Sequence, residues 1–432
     1  MIAGIMMRRE FVSRSFGLAL PLGLAGQTGG APNAEMEASR QAALDLLRPT
    51  EAQLQHGLEL HASATVVESY GFSPRAAIDG DALRAAMEAG AGEAELQDLR
   101  EEMMMTRAAT DAAEREEYLS AWRAAGVTAI LQNAGEEGQD PLRLMKRLAR
   151  FTFTTDQLRP RVRRAVNGAD IEQARAQQAH CLVMTGNGVP LAQRWDTVEE
   201  ELGFIRVFHQ LGIRMMHLTY NRRNVLADGC AEPANGGLSD VGRAAIAEMN
   251  RVGVLVDVAH AGWRSSLEAA RASTKPMVAS HTVCGALNEH IRSKPDEVIR
   301  AIVDTGGLVG ICCVPSFLGR SQDIVAMLDH LDYLVRRFGA EHAAIGTDIA
   351  YQSRASAAET AKLPRAARRR ARYEAFWPPD ALRVSFHRSM AWTNWPLFTV
   401  GLVQRGHSDE AIRKILGGNV LRVLRAVGGS GA

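Results

Sequence analysis

The stretch Gly253–Arg292, GVLVDVAHAGWRSSLEAARASTKPMVASHTVCGALNEHIR, decides the predicted fold class. Two short apolar runs, Val254–Val258 and Met277–Ala279, are each followed closely by a histidine, His260 and His281. The segment between the two runs has helical character, so the stretch predicts a βαβ unit whose two strands are parallel neighbours. Both imidazoles would then lie at the carboxyl ends of adjacent strands, where α/β barrels place their active sites.

Strand-like and helix-like segments alternate along most of the chain, about eight times if the less certain early segments are counted. This alternation favours an α/β fold, a (β/α)8 barrel of the TIM type, over an open doubly wound sheet. We expect a single barrel domain at residues 35–430. Within it we expect an irregular basic insertion at 352–380 and a C-terminal helical cap at 405–426.

The N-terminal segment has the pattern of an export signal. Arg8 and Arg9 precede a mild apolar run, Phe16–Gly26, and a Gly- and Pro-containing patch follows as far as Ala34. A twin arginine before a short apolar segment is typical of a Tat signal. We therefore predict a leader at residues 1–34 and an exported, periplasmic protein; a cytoplasmic protein with a disordered leader is the alternative interpretation.

Charge and cysteine content argue against several classes of protein. The chain has 50 Lys+Arg and 49 Asp+Glu, so it lacks the basic excess that is typical of nucleic-acid-binding proteins. Its five cysteines are scattered without CxxC spacing, which indicates neither a zinc knuckle nor a disulfide framework. The apolar runs fall short of the ~18 residues that a transmembrane helix needs, so no membrane span is predicted.

Five segments resemble, in order, the membrane (renal) dipeptidase family, and especially its bacterial members. They are LGIRMMHLTYNRRN from Leu211, GLSDVGRAAIAEMNRVGVLVDVAH from Gly237, PMVASH from Pro276, AIGTD from Ala344 and SDEAIRKILGGNVLRV from Ser408. The resemblance is strong over residues 200–350 and 400–423, and traceable over 60–200. It implies a (β/α)8 barrel of the metal-dependent hydrolase type, which hydrolyses dipeptides with two zinc ions bridged by a glutamate.

The resemblance assigns roles to individual residues. His260 and His281 match the two histidines that hold one zinc, and Asp348 matches the proposed proton acceptor for the attacking water. Arg292 matches the arginine that binds the C-terminal carboxylate of the substrate, a task for which a guanidinium is well shaped. Tyr220 stands where the family has a substrate-contacting histidine, a change that bacterial relatives also show.

Three positions depart from the family pattern. The histidine and aspartate that bind the other zinc are replaced by Tyr70 and Phe72, and the bridging glutamate is replaced by Thr185. Phenylalanine offers no ligand atom, and tyrosine is outside the usual zinc ligand set of cysteine, histidine and carboxylate. The sequence therefore predicts a reduced site with at most one zinc ion.

A catalytic zinc normally has three protein ligands and a water. His260, His281 and Asp348 would supply three, and Glu68, Tyr70 or His217 are further candidates. On this basis we expect a metal-dependent hydrolase acting on a dipeptide or related small amide. Two alternatives stay open: an impaired barrel that binds a small carboxylated ligand, and a metal-free acid/base enzyme at the same mouth. Family members are often dimers, so a homodimer is the assembly that the resemblance implies.

Overall fold

The computed structural model describes residues 33–135, 138–364 and 386–428. The predicted Tat signal, with Arg8 and Arg9, lies outside these residues, so export stays a prediction. Most of the expected basic insertion also lies outside them; its described part contains one short helix, Ser356–Ala361. Within the described residues, no helix is both long enough and apolar enough to span a membrane.

Eight parallel strands form a nearly closed barrel in the order β1-β2-β4-β5-β6-β7-β9-β10, and β3 and β8 pair with β4 and β7 beside this path. The described strands are β1 (Val67–Gly71), β2 (Ala129–Asn133), β3 (Val162–Arg164), β4 (His180–Gly186), β5 (Ile213–His217), β6 (Leu255–Asp257), β7 (Val278–Cys284), β8 (Ser293–Lys294), β9 (Leu308–Ile311) and β10 (Ala343–Ile345). The predicted α/β barrel is confirmed.

Helices follow most of the strands and cover the outside of the barrel. The described α-helices are α1 (Ala34–Leu47), α2 (Glu51–Ser63), α3 (Gly80–Glu88), α4 (Glu93–Thr110), α5 (Ala112–Ala125), α6 (Pro141–Gln157), α7 (Gly168–Ala176), α8 (Val198–Gln210), α9 (Asp240–Val252), α10 (Trp263–Ala272), α11 (Asp296–Asp304), α12 (Pro315–Leu318), α13 (Ile324–Phe338), α14 (Ser356–Ala361), α15 (Trp395–Gln404), α16 (Asp409–Arg413) and α17 (Asn419–Gly428). Short 3-10 turns lie at Ala340–His342, Arg388–Met390 and Trp392–Asn394, and a π-helical turn at Lys414–Gly418 joins α16 to α17.

A buried carboxyl group links the two ends of the strand order, β1 and β10. Glu68 on β1 accepts hydrogen bonds from the backbone N–H of Thr347 at 3.0 Å, from the hydroxyl of Thr347, and from Nε1 of Trp392 at 2.8 Å. The backbone N–H of Asp348 also donates to the carbonyl of Tyr70 at 3.4 Å. Burial raises the pKa of Glu68 to about 8, although these hydrogen bonds act in the opposite direction.

The interior of the barrel is apolar at the end opposite the histidines. One buried cluster takes side chains from all eight barrel strands and from α17: Val67, Ala129, Leu131, Cys181, Val183, Met215, Leu255, Val278, Leu308, Ala344, Val420, Val423 and Leu424. Since α17 packs against these residues near the strand starts, it closes the amino end of the barrel. The polar site is thereby confined to the carboxyl end.

The βαβ unit predicted around the two histidines is present. β6 pairs in parallel with β7, and α10 connects them. The strand bounds differ from the prediction, because β6 ends at Asp257 and β7 continues from Val278 to Cys284. His281 therefore lies within its strand rather than after it, whereas His260 lies in the loop beyond β6.

Candidate metal centre

His281 lies at an irregular point of β7. The register of β7 against β9 shifts around Ser280 and His281, and such shifts redirect side chains from the regular alternation of a strand. Glycines next to β7 make room for this backbone: a Cβ at Gly310 or Gly346 would lie 2.0 or 2.1 Å from the carbonyl oxygen of Ser280. The tight packing fixes the position of the His281 backbone.

Asp257 determines which nitrogen of His281 carries the proton. Its carboxylate accepts hydrogen bonds from the backbone N–H groups of Ala259 (2.9 Å) and Ser280 (3.1 Å), and from the hydroxyl of Ser280. Because a carboxylate only accepts, the Ser280 hydroxyl proton points to Asp257. Oγ of Ser280 must then accept from Nδ1–H of His281, 2.8 Å away. Nε2 of neutral His281 consequently carries a lone pair.

His260 presents the same nitrogen to the same space. Its Nδ1 lies 2.7 Å from Oδ1 of Asn221, which also accepts from the thiol of Cys230 at 3.4 Å. Nδ1 of His260 is therefore the protonated nitrogen, and Nε2 carries the lone pair. Nε2 of His260 lies 3.0 Å from Nε2 of His281. Two lone pairs thus face each other across a short gap.

Facing lone pairs repel each other unless a cation lies between them. Burial, reinforced by the charge of Arg292, lowers the pKa of both His260 and His281 well below the usual value. A proton is therefore held poorly at this point. Neutral imidazole nitrogens are good zinc ligands, so the pair fits a metal ion.

His217, the last residue of β5, adds a third imidazole. Nε2 of His217 lies 2.6 Å from Oδ2 of Asp257, yet within the described part of the chain neither ring nitrogen makes a hydrogen bond. The ligand atoms of His217, Asp257 and His281 all lie within 4.8 Å of one another. Pairwise centroid distances of 4.9–5.4 Å place the rings of His217, His260 and His281 around one space. His260 and Asp348, which the sequence predicts as ligands together with His281, do not belong to this group of ligand atoms.

The three positions that depart from the family pattern are built into the barrel. Tyr70 stacks on the ring of His281, with centroids 3.9 Å apart and an interplanar angle of 12°, and its hydroxyl donates to Oδ1 of Asn187 at 3.1 Å. Phe72 meets Tyr70 edge-on at 6.0 Å. Thr185 is buried and donates to the carbonyl of Gln132 at 3.0 Å. These side chains fill the β1 side of the site.

Arg292 is a buried cation that lacks a carboxylate partner in the described residues. Only 1% of the residue is exposed; Nη2 donates to the carbonyl of His281 at 3.1 Å, and the guanidinium lies 5.1 Å from the ring centre of Phe317. Its Nε has no hydrogen-bond partner among the described residues. Lys294, two residues further, is also fully buried, and burial lowers its pKa to about 7. This side of the mouth is suited to an anion.

Asp348 and Tyr220 lie at the rim of the same mouth. Asp348 follows β10 in a left-handed conformation (φ 59°). Burial raises the pKa of Asp348 to about 6, although the charge of Arg292 acts to lower it. Tyr220 stacks on His260 with centroids 4.4 Å apart. A group with this pKa is ionised at neutral pH and can accept a proton.

Comparison with known proteins identifies the family of this chain. The sequence profile of the family described as membrane dipeptidase, peptidase family M19, matches residues 59–362. The chain belongs to the membrane dipeptidase family. The (β/α)8 fold and the hydrolase class that the five sequence segments indicated are those of this family.

The sequence identities to individual relatives are low. The chain is 28% identical to the dipeptidase tcpJ of Claviceps purpurea over 228 residues, which are 52% of this chain and 47% of that protein. The match therefore spans about half the length of that relative. An amidohydrolase from Pseudomonas aeruginosa superposes with a TM-score of 0.64 and 25% identity, covering 87% of this chain and 99% of that one. A metallopeptidase from Rhodobacter sphaeroides, liganded with a phosphinate mimic of L-Ala-D-Ala, shares the fold with a TM-score of 0.59 and 18% identity, covering 84% and 99%.

Several residues of the site carry no clear signal in the sequence. Asp257, Ser280 and Asn221 were missed, although Asp257 carried a signal, because it is a carboxylate inside an apolar strand. His217 was only one of several possible extra ligands. Ser280 and Asn221 act through hydrogen bonds to ring nitrogens, and such contacts leave no recognisable spacing in the sequence.

Proposed function

We propose that this protein is a metal-dependent hydrolase that cleaves dipeptides or related small amides with a single zinc ion. The observation that carries the proposal is the 3.0 Å approach of the Nε2 atoms of His260 and His281. Hydrogen bonds at each Nδ1 hold both rings in the tautomer that a metal requires. Membership of the membrane dipeptidase family supports the hydrolase class.

One ion rather than two follows from the side chains on β1 and β4. Tyr70 and Thr185 are already committed to hydrogen bonds with other residues, and Phe72 offers no ligand atom. His260 and His281 would hold the ion on the opposite side. A bound zinc ion polarises a carbonyl group and lowers the pKa of a bound water to about 7.

Arg292 would bind the C-terminal carboxylate of the substrate. A buried guanidinium is costly without a counter-charge, and the described residues give Arg292 a carbonyl and an aromatic face but no carboxylate. A planar guanidinium recognises a carboxylate through two parallel hydrogen bonds. This role would restrict substrates to small molecules with a free carboxylate near the scissile amide.

Asp348 would accept the proton of the attacking water. The pKa of about 6 keeps the carboxylate ionised at neutral pH while leaving it basic enough to take a proton. Its left-handed backbone conformation is unusual for a residue with a side chain, and such conformations are frequent at functional sites. Tyr220, stacked on His260, would line the substrate side of the mouth.

A second candidate is a barrel that binds a small carboxylated ligand without hydrolysing it. The specific observation in its favour is the stacking of Tyr70 on His281, which occupies the β1 side of the site with an aromatic ring. In that case Arg292 would still bind a carboxylate, but turnover would be absent.

A dipeptide panel with added Zn²⁺ or Mn²⁺ separates the two candidates. The first predicts turnover of at least one dipeptide and its loss in His281→Ala. A suitable control is His330→Ala, because His330 is a buried histidine whose ring nitrogens are occupied by Cys284 and Leu318. Binding of dipeptides without turnover would favour the second candidate, and turnover that survives His281→Ala would refute the assigned role of that residue.

A further inference from the structure

We propose that His217 and Asp257 are metal ligands, which together with His281 form a three-residue site on β5, β6 and β7. This inference deepens the proposed function and rests on its metal dependence. The family resemblance implies ligands from β1 and β4 at positions now held by Tyr70, Phe72 and Thr185. The ion would instead be held on the other side of the barrel by two residues to which the resemblance gives no role.

The first argument is the placement of the three side chains. His217, Asp257 and His281 are all 0% exposed and stand on three adjacent parallel strands. Their ligand atoms lie within 4.8 Å of one another. Two neutral imidazoles and one carboxylate are a common catalytic zinc set, and three protein ligands leave a fourth position for water or substrate.

The second argument is the unsatisfied state of His217. Buried side-chain nitrogens almost always have a hydrogen-bond partner, and leaving one unpaired costs about 1–3 kcal/mol. Within the described residues both ring nitrogens of His217 lack one. Nε2 lies 2.6 Å from Oδ2 of Asp257, but the ring does not direct an N–H at that oxygen. A ring nitrogen and a carboxylate oxygen that lie this close without a hydrogen bond between them are placed to bind a shared metal ion.

The third argument is the support around Asp257. Backbone N–H groups of Ala259 and Ser280 hold Oδ1, while Oδ2 faces His217 and the hydroxyl of Ser280. Hydrogen-bonded carboxylates and oriented imidazoles are the usual surroundings of a metal site.

An ion pair between His217 and Asp257 is the competing interpretation of their contact. It would require a protonated His217 whose N–H bonds to Asp257, whereas neither ring nitrogen of His217 has a hydrogen-bond partner among the described residues. A shared metal ion would need no such N–H, because both groups would bind it through lone pairs.

Cobalt titration of the metal-free full-length protein tests the proposal without relying on activity. Co²⁺ bound to nitrogen and oxygen ligands gives a visible spectrum, so affinity and stoichiometry can be read directly. We expect His217→Gln and Asp257→Asn to weaken Co²⁺ binding by at least about 100-fold, because loss of even an outer-shell partner costs 10–100-fold. His330→Gln, at a buried histidine outside the site, should bind as the wild type does. Circular dichroism of the metal-free forms shows whether each variant is folded.

Wild-type affinity in both folded variants would overturn the inference. If either variant unfolds, zinc-edge anomalous diffraction from wild-type crystals decides the question: a peak in contact with His217 and Asp257 supports the site, and a peak bound by His260 and Asp348 alone refutes it. The outcomes also separate this inference from the proposed function. Cobalt binding that depends on His217, without dipeptide turnover, would support the metal site and reject the proposed activity. Dipeptide turnover with unchanged cobalt binding in the variants would support the activity and reject His217 and Asp257 as ligands.

Discussion

The ring of Tyr70 lies parallel to the imidazole of His281, with the two centroids 3.9 Å apart. The family resemblance implies a zinc-binding histidine at position 70, so the aromatic ring of Tyr70 stands where a ligand is expected. The Tyr70 ring packs on the imidazole of His281 from the β1 side, and Nε2 of His281 faces His260. In the proposed single-zinc site, this contact would hold the ring of His281 in place.

Loss of the Ser280 hydroxyl should weaken metal binding. Oγ of Ser280 joins Asp257 to Nδ1 of His281 and thereby fixes the tautomer of that ring. Ser280→Ala is expected to lower zinc affinity about 10–100-fold, as measured by competition with a chromophoric chelator. Ser69→Ala is the matched control, because the Ser69 hydroxyl is equally buried but donates only to the carbonyl of Ser280. Equal affinities in the two variants would contradict the tautomer argument.

Asp348 should set the acidic limb of the pH–rate profile. With a pKa of about 6, the carboxylate loses its basic form as the pH falls through that value. The rate constant kcat/KM of the wild type should therefore rise with pH up to about 6 and then level off. Asp348→Asn should lose the limb and about 10²–10⁴-fold in kcat. Asp140→Asn, which retains an N-cap side chain on α6, should leave the profile unchanged. A limb that persists in Asp348→Asn would assign it to another group.

Arg292 should discriminate between free and amidated C-termini. Replacing it with leucine removes charge-assisted hydrogen bonds worth about 1.5–3 kcal/mol, so kcat/KM for dipeptides should fall about 10–150-fold. Dipeptide amides should be affected far less, since they carry no carboxylate. Arg300→Leu is a control, because its guanidinium packs on the ring of Phe338 at 4.7 Å outside the site. An equal loss for both substrate classes would argue against a carboxylate contact.

Glu68 should make the protein less stable as the pH rises. The pKa of this buried carboxyl group is raised from 4.5 to about 8, so the folded chain keeps a proton that the unfolded chain releases between these values. The free energy of unfolding should therefore contain a component that is complete below pH 4.5 and is lost as the pH rises to about 8. Urea unfolding at several pH values measures it.

Glu68→Gln should abolish that component. It should also cost about 1–3 kcal/mol, because an amide that accepts from Thr347 turns its N–H groups toward Nε1 of Trp392. Trp392→Phe, which removes a donor but keeps the carboxyl group, should retain the pH dependence. If Glu68→Gln unfolds with the same pH dependence as the wild type, a different group is responsible.

The sequence predicted the barrel well because a βαβ unit leaves two independent signals, apolar strands and a helical spacing between them. It also placed His260 and His281 at one mouth. The strand bounds were less accurate: a register shift at Ser280 extends β7 past His281, and such shifts depend on neighbouring strands rather than on local residues. Whether Tyr70 would bind, stack or pack could not be predicted, because that depends on the ring it meets across the barrel.

The criterion that selected His260 and His281 applies equally to His217. It is a histidine at the end of an apolar strand, and Asp257 is a carboxylate within another. The family resemblance assigns roles only to matched positions, and neither His217 nor Asp257 is among them. Their proximity comes from the sheet topology, in which β5 pairs with β6 and β6 pairs with β7.

The metal content of the full-length protein, purified without chelator and measured by mass spectrometry, tests the central claim most directly. A single-metal site predicts about one zinc ion per chain, since the unblocked ligands suffice for a single ion. Two ions per chain, or no bound metal even after incubation with zinc, would contradict it.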